Sequence, residues 1–541
     1  MKKNSKLKFL LPMLLLGLSG CDIHITIPFG SNKTSLLPVS SEPISIPSVD
    51  RSDDYTSREP ISAVDKGKGY EKAANVKYTL RDANEQLYWN TLNSTGNQKL
   101  LIVPVQISNA TRWDSTMLTN LEKAFFGYST DTNWQSVRTF FQESSYGKLH
   151  LSGEITGVLQ INDYTISSLN NEGENASEIV ADKFNNSNLV SSAKRKEYDQ
   201  DGDGYIDATI FVYSNAYENS SSTAYWAWCY SANQDSNTAT PSVNNYMWVS
   251  YTYINDSYEN DYSKPSIPQG LDTHTFIHEM GHIIGLDDYY NTGYDDIPWD
   301  PAGDRDMQSF NVGDHNIYSK MALGWVKPYV VTDSCEIQLR TSALYDDAIL
   351  IKDNWNGSIF DEYLLIEFYT PQGMNKQDAE YQYEGRNYMY DYSGLRIYHV
   401  DARLVRNIKS NQKSNGSYEI TNGGYTSDFV KNETCYVGAS NSISNQYLTY
   451  SQNRNNYIRY LHLIDKGGNN TLKAGTSSSW GSSSTKIEAE STLWTVGDTF
   501  TATGAYFAKG KNKFNDGTTV GYSVKVSNIS GDVATVVITK N

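Results

Sequence analysis

Residues 273–290 read T-H-T-F-I-H-E-M-G-H-I-I-G-L-D-D-Y-Y. His278 and His282 stand in an H-E-x-x-H pattern with Glu279 between them. On a helix this spacing puts both imidazoles on one face, a turn apart. A catalytic zinc site takes three protein ligands and keeps a fourth position open for water. His278 and His282 supply two of the three. Gly285 predicts the end of the helix, after which Asp287 or Asp288 can turn back as the third. Glu279 is expected beside the open position, as a proton acceptor.

The neighbouring residues support a metal over a plain surface helix. The chain has only eight histidines, and His274, His278, His282 and His315 all fall between positions 274 and 315. Phe276, Ile277, Met280, Ile283 and Ile284 make the helix apolar on most sides, which predicts burial. A buried helix carrying two imidazoles and a carboxylate needs a partner for them, and a cation is the natural one. Structural zinc sites usually close with four ligands that include cysteine and have no use for Glu279. No C-x-x-C occurs in the chain.

Further out, 541 residues exceed one core and predict two or three domains. The 41 Tyr and 11 Trp supply buryable area that the 38% hydrophobic content understates. A net charge of −17 without a basic patch argues against nucleic acid as a partner. Lys2, Lys3, Lys6 and Lys8 precede an apolar run at 9–18 that is too short to span a bilayer. This is the layout of a signal peptide over residues 1–20. Leu18-Ser19-Gly20-Cys21 resembles a bacterial lipobox, which implies lipidation at Cys21 and a lipid anchor in the membrane at the bacterial cell surface. Residues 21–73 are rich in Ser and Pro and read as a disordered tether. Cys229, Cys335 and Cys435 allow one disulfide at most, and both a Cys335–Cys435 pair and three free thiols stay open.

Order is expected from residue 74. Residues 99–107 (K-L-L-I-V-P-V-Q-I) form an apolar run that predicts a buried strand, with Pro104 pointing to an edge or a bulge. Residues 134–145 carry helical apolar spacing, with Gly147 as the stop, and 149–158 alternate like a strand. Residues 199–207 (D-Q-D-G-D-G-Y-I-D) match the front of an EF-hand-type loop. Asp199, Asp201, Asp203, Tyr205 and Asp207 are its expected calcium ligands. Ile210 replaces the closing glutamate, and a solvated acidic turn is the competing reading. Residues 225–230 and 246–254 are aromatic-rich strands, either plain core or an edge that holds an extended peptide. After residue 330 the runs 363–369, 395–400, 457–464, 520–526 and 533–539 are strand-like. The last two are joined by Ser530-Gly531-Asp532 in a hairpin, and 475–484 read as a flexible loop.

The run H-E-M-G-H-I-I-G-L-D-D-Y-Y, followed by D-M-Q-S-F-N-V-G-D-H-N-I-Y-S-K-M-A-L-G-W, is similar to the immune-inhibitor-A family of bacterial zinc metallopeptidases. Residues 136–153, the D-G-D-G-Y-I-D loop and residues 394–401 (G-L-R-I-Y-H-V-D) also look similar, so the resemblance covers about residues 95–405. It implies a metzincin-like zincin catalytic domain over 74–329; the strands after 330, with no long helices among them, predict an antiparallel sandwich or barrel, so the expected fold is α+β with an all-β sandwich-like region over 330–541. Carried over residue by residue on the pattern H-E-x-x-H-x-x-G-x-x-D, His278, His282 and Asp288 are zinc ligands and Glu279 is the base. Met307 takes the methionine-turn position. Tyr318 and His315 are the implied oxyanion donors, although Tyr318 lies further along the chain than such a tyrosine usually does. His274 is implied as packing beside the site, and His399 as lining the cleft. The third ligand is aspartate where many metzincins have histidine. The implied activity is surface-anchored, zinc-dependent hydrolysis of extracellular protein or peptide substrates, with calcium as a structural ion. A reading from another class is a calcium-stabilised surface-adhesion lipoprotein that binds glycans through its aromatic-rich β region. Glu279 separates the two, because adhesion has no need of a base there.

Overall fold

The computed structural model describes residues 46–49, 63–82, 92–217, 223–231, 234–255, 270–290, 302, 305–309, 313–380, 389–406, 425–429, 435–437, 439, 459–466, 492–502 and 512–541. The signal peptide, Cys21, most of the tether and the 475–484 loop lie outside these residues. The described chain is a mixed α+β protein built in layers.

The first sheet is ordered β1 (Ile46–Val49), β5 (Leu149–Ile155), β4 (Gly96–Ile107), β8 (Thr209–Tyr213), β11 (Asn245–Ser250), β9 (Trp228–Ser231), with β6 (Leu159–Ile161) pairing the end of β4. Its centre is parallel, while β1 and β9 run antiparallel at the two edges. Successive side chains of β4 alternate between two cores, as the two-residue period of a strand requires. Leu100 and Ile102 enter one core, and Leu101, Val103 and Val105 enter the other. The second of these cores is closed by the apolar face of α3 (Asn175–Asn185), through Ala176, Val180, Ala181 and Phe184. On the opposite face lie α1 (Ser115–Phe126), α2 (Val137–Ser144), α4 (His274–Ile283) and α5 (Ile317–Ala322).

Pro104 is not at an edge. It sits in central β4, opposite Val212 of β8. On the other side of β4, pairing with β5 ends at Ile102 and pairing with β6 resumes at Val105. The Ile102 carbonyl accepts from Thr156 on that side, so the two-residue period aims the donorless Pro104 nitrogen into the break between β5 and β6. The acidic loop runs through β7 (Tyr205–Ile206), which pairs β10 (Ser242–Val243), and then into β8. Helix α2 is shorter than the apolar spacing suggested. Ser136 caps it, leaving Trp134 outside, and Tyr146 and Gly147 both turn left-handed to stop it.

The second sheet is ordered β2 (Lys66–Gly67), β3 (Tyr70–Lys72), β12 (Tyr329–Val331), β14 (Ile349–Ile351), β15 (Glu362–Tyr369), β16 (Gly394–Asp401), β20 (Leu461–Leu463). One face packs on the helices α2, α4 and α5, placing Leu350, Leu365, Tyr398 and Val400 in the same core as Phe276 and Met280. The other face packs on a third sheet, β13 (Cys335–Arg340), β23 (Val533–Lys540), β22 (Tyr522–Ser530), β21 (Thr499–Thr501). The expected 531–532 hairpin joins β22 to β23, with Ser530 opposite Val533. A small sheet of β17 (Leu404–Arg406), β18 (Tyr425–Thr426) and β19 (Cys435–Val437) completes the strands among the described residues.

Two expected boundaries are corrected. Residues 46–49 and 66–72, read as tether, pair with the first sheet and form a hairpin on the second, in strands too short to show a pattern. The step at 329/330 does not separate two cores, because β14, β15 and β16 complete the hydrophobic core around α4. Cys229 and Cys335 are free thiols; the Cys435 side chain lies outside the described set. Among the described residues no helix is long and apolar enough to cross a membrane.

Candidate metal centre

Helix α4 carries the H-E-x-x-H residues and is buried along almost its whole length. It ends as its sequence demands. Gly285 adopts φ +103°, and its N–H donates to the His282 carbonyl at 2.9 Å while Leu286 N–H reaches the Gly281 carbonyl at 2.9 Å. That turn sends the chain back, and Asp288 Oδ1 arrives 3.2 Å from His278 Nε2 and 3.3 Å from His282 Nε2. The two Nε2 atoms are 3.3 Å apart. The three atoms form a nearly equilateral triangle. A tetrahedral zinc ion with bonds of about 2.0–2.1 Å has ligand–ligand edges of about 3.4 Å, so this donor set fits the ion in both chemistry and size.

Each imidazole is oriented through its other nitrogen. His278 Nδ1 is 2.9 Å from the Met307 carbonyl, and His282 Nδ1 is 2.9 Å from the Leu286 carbonyl. A carbonyl only accepts, so both Nδ1 atoms carry a proton and both Nε2 atoms face the cluster. The turn that stops the helix therefore also fixes the tautomer of His282. Asp287 is exposed, and its carboxylate accepts the Asp288 N–H at 3.0 Å. Of the two adjacent aspartates, Asp288 is the one brought to the histidines.

Charge at the cluster follows from this crowding. Burial disfavours the charged forms, but the Asp288 carboxylate lifts His282 to about 10. Against the same burial, His282 and His278 hold the Asp288 carboxyl well below the usual carboxylate range. Burial pushes Glu279 upward, opposed by His282 and His278 and reinforced by Asp288. A carboxylate raised in this way is better matched to exchanging protons near neutral pH.

Residues 305–309 brace the helix from below. Gln308 Nε2 donates to the His278 carbonyl at 3.1 Å, and the Gln308 carbonyl accepts the Tyr289 N–H at 2.7 Å, next to Asp288. Asp306 ties this turn to the start of α5, accepting from Gln308 N–H at 2.8 Å and from Asn316 N–H at 2.6 Å. Burial raises Asp306 to about 6. Gly281 is needed where Gln308 packs, since a Cβ there would lie 2.2 Å from Gln308 Oε1.

The other expected site residues are placed differently. His315 is buried against Phe140 and Trp325, 3.2 Å from Ser144 Oγ and 3.4 Å from Gln308 Oε1. Burial, with the charge of Lys320, pushes it well below its ordinary value and keeps it neutral. Tyr318 is fully buried on α5, its hydroxyl 2.7 Å from that of Tyr460. Both expected oxyanion donors are buried, with their polar atoms turned to Ser144, Gln308 and Tyr460. His274 is buried next to His278, with ring centres 6.3 Å apart. His399 belongs to the second sheet, 2.8 Å from Glu362 Oε1. In the acidic loop, carboxylate oxygens of Asp199, Asp201 and Asp207 come within 4.8 Å of one another. Asp203 instead accepts the Tyr205 N–H at 2.8 Å, and the Tyr205 hydroxyl donates to the Gln234 carbonyl. Arg81 Nη2 lies 2.9 Å from Asp201 Oδ2. Burial, with Asp201, Asp199 and Asp203 adding to it, raises Asp207 to about 7.

Sequence reasoning missed Gln308, the steric role of Gly281, and Cys229, whose thiol donates to the Glu279 carbonyl at 2.9 Å. Only the glycine left a sign, as a poor helix former inside an otherwise strong helix. No protein-family model matches the chain, and no curated protein sequence matches it.

Proposed function

We propose that this chain is a zinc-dependent endopeptidase of the immune-inhibitor-A type, with a metzincin-like catalytic half and a sandwich-like second half. The observation that carries the reading is the His278–His282–Asp288 triangle with Glu279 on the same helix. A closed structural site would leave Glu279 without a purpose. Bound by the three ligands, a zinc ion supplies Lewis acidity, which polarises a peptide carbonyl and makes water nucleophilic near neutral pH. Glu279 accepts the proton of the attacking water on its carboxylate and returns it to the departing amine nitrogen. His278 and His282 keep their Nδ1 protons on the Met307 and Leu286 carbonyls throughout, which holds both Nε2 atoms in register.

Strand β9 supports a peptide substrate. Among the described residues it is the last strand on its side of the first sheet, and it lies against α4, with the Cys229 thiol hydrogen-bonded to the helix. An extended peptide can add to such an edge through main-chain hydrogen bonds. In this reading, lipidation at Cys21 anchors the enzyme in the membrane at the bacterial cell surface, and the 199–207 loop carries a structural calcium ion. The test is a broad peptide library offered to the full chain, with and without a zinc chelator, together with determination of bound metal. Fragment release that the chelator abolishes, with one zinc per chain, is expected. A zinc-free chain, or cleavage indifferent to the chelator, would overturn the reading.

A further inference from the structure

The second sheet reaches the metal site through one buried ion pair. Arg396 on β16 and Glu367 on β15 stand opposite each other in the antiparallel ladder, and both side chains are about 1% exposed. Arg396 Nη2 is 2.7 Å from Glu367 Oε1, while Nη1 donates to the Arg305 carbonyl at 3.0 Å. Glu367 is held in turn by the Ser342 hydroxyl at 2.6 Å and the Tyr398 hydroxyl at 3.1 Å. The guanidinium thus uses its fork twice: one nitrogen on the sheet, the other on the turn beneath the metal helix.

That turn is where the metal ligands take their orientation. From Arg305 the chain passes to the Met307 carbonyl on His278 Nδ1, and then to the Gln308 carbonyl on the amide that follows Asp288. Two of the three ligands are therefore referenced to a segment that Arg396 anchors. Building a buried ion pair for stability alone is a poor return, because desolvation of the two charges offsets most of their attraction. A pair that fixes the position of a segment has a clearer purpose.

We infer that Arg396, locked by Glu367, is a positioning residue for the metal centre, so the second sheet is a working part of the site and not an accessory to it. This rests on the zinc reading above. Arg396→Lys keeps the charge beside Glu367 but cannot reach the Arg305 carbonyl at the same time. Zinc affinity of the full-length chain is measured by competition with a chromophoric chelator, and folding by far-ultraviolet circular dichroism and chemical denaturation. Arg340→Lys is the comparator: Arg340 makes another buried pair, with Asp347, and its change is expected to leave zinc affinity alone. Arg396→Lys is expected to weaken zinc binding about 10- to 100-fold, as loss of a ligand's supporting partners typically does. Glu367→Gln keeps the shape and frees the guanidinium, and is expected to weaken binding less. The second variant decides the question where the first fails to fold. Folded variants that bind zinc like the parent would overturn the positioning role while leaving the zinc site standing. A parent that binds no zinc would overturn both.

Discussion

Gly281→Ala is the substitution whose outcome the structure constrains best. In an isolated helix, alanine would stabilise this position by about 1 kcal/mol relative to glycine. Here the added Cβ would lie 2.2 Å from Gln308 Oε1, 2.6 Å from Cδ and 2.8 Å from Nε2. Gln308 is fully buried and must retreat by about 1 Å to restore ordinary contact. Overpacking of this kind costs about 2 kcal/mol, and losing the bond from Nε2 to the His278 carbonyl adds about 1 kcal/mol. The net expectation is a loss of about 2 kcal/mol by chemical denaturation, despite the helix propensity. Because the same movement pulls the Met307 carbonyl from His278 Nδ1, zinc affinity is expected to fall about 10- to 100-fold. In a Gln308→Ala background the clash is gone, and Gly281→Ala should then be neutral or stabilising, by up to about 1 kcal/mol. A Gly281→Ala single variant that is as stable as the parent and binds zinc equally would refute the bracing role of Gln308.

Asp288→Ala is expected to weaken zinc binding by roughly 100-fold or more, with Asp287→Ala close to the parent in the same chelator competition; the opposite pattern would move the third ligand by one residue. In the metal-free chain His282 titrates at about 10 beside Asp288, so zinc must displace its proton. Near pH 8, calorimetry in buffers of differing ionisation enthalpy should show release of about one proton per zinc, and no release would contradict the shared site. For the metal-free fold the sign is that of a raised histidine: the ion pair's contribution is complete below about pH 6.5 and disappears as pH climbs towards 10. Asp207 gives the same sign of pH dependence in a lower window, because its carboxyl is also raised, to about 7. Without a cation it weakens the fold progressively between about pH 4 and pH 7, where the unfolded chain has already released the proton. Thermal stabilisation by calcium should therefore be larger near pH 8 than near pH 5; equal shifts at both would count against cation binding by Asp199, Asp201 and Asp207.

Much of the site could be read from the chain because its determinants are local. His278, Glu279 and His282 share one helix, and Gly285 and Asp288 follow within six residues of His282, so local spacing brings the donors together. The strands β4, β11, β15 and β16 are legible for a similar reason: their runs are rich in apolar residues and buried on both faces. What sequence could not show depends on partners distant in the chain. Residues 66–72 are strand only because β12 lies beside them. Tyr318 and His315 have the right chemistry for a site, but that they pack on Tyr460 and Phe140 depends on residues far from them in the chain. Gln308 and Arg396 are unremarkable in sequence, and their meaning comes from the carbonyls of His278 and Arg305. Pro104 signalled a break in pairing correctly, but a gap between β5 and β6 inside a sheet meets that requirement as well as an edge does.

The most direct test sets Glu279→Gln beside the parent, with bound zinc and peptide cleavage measured on the same samples. Glu279 is not among the three clustered donors, so the variant should hold zinc at the parental stoichiometry. Its cleavage rate should fall by about 100- to 10,000-fold, the usual contribution of a general base. Equal zinc with an unchanged cleavage rate would contradict the assignment of Glu279 as the base, and with it the proposed hydrolysis.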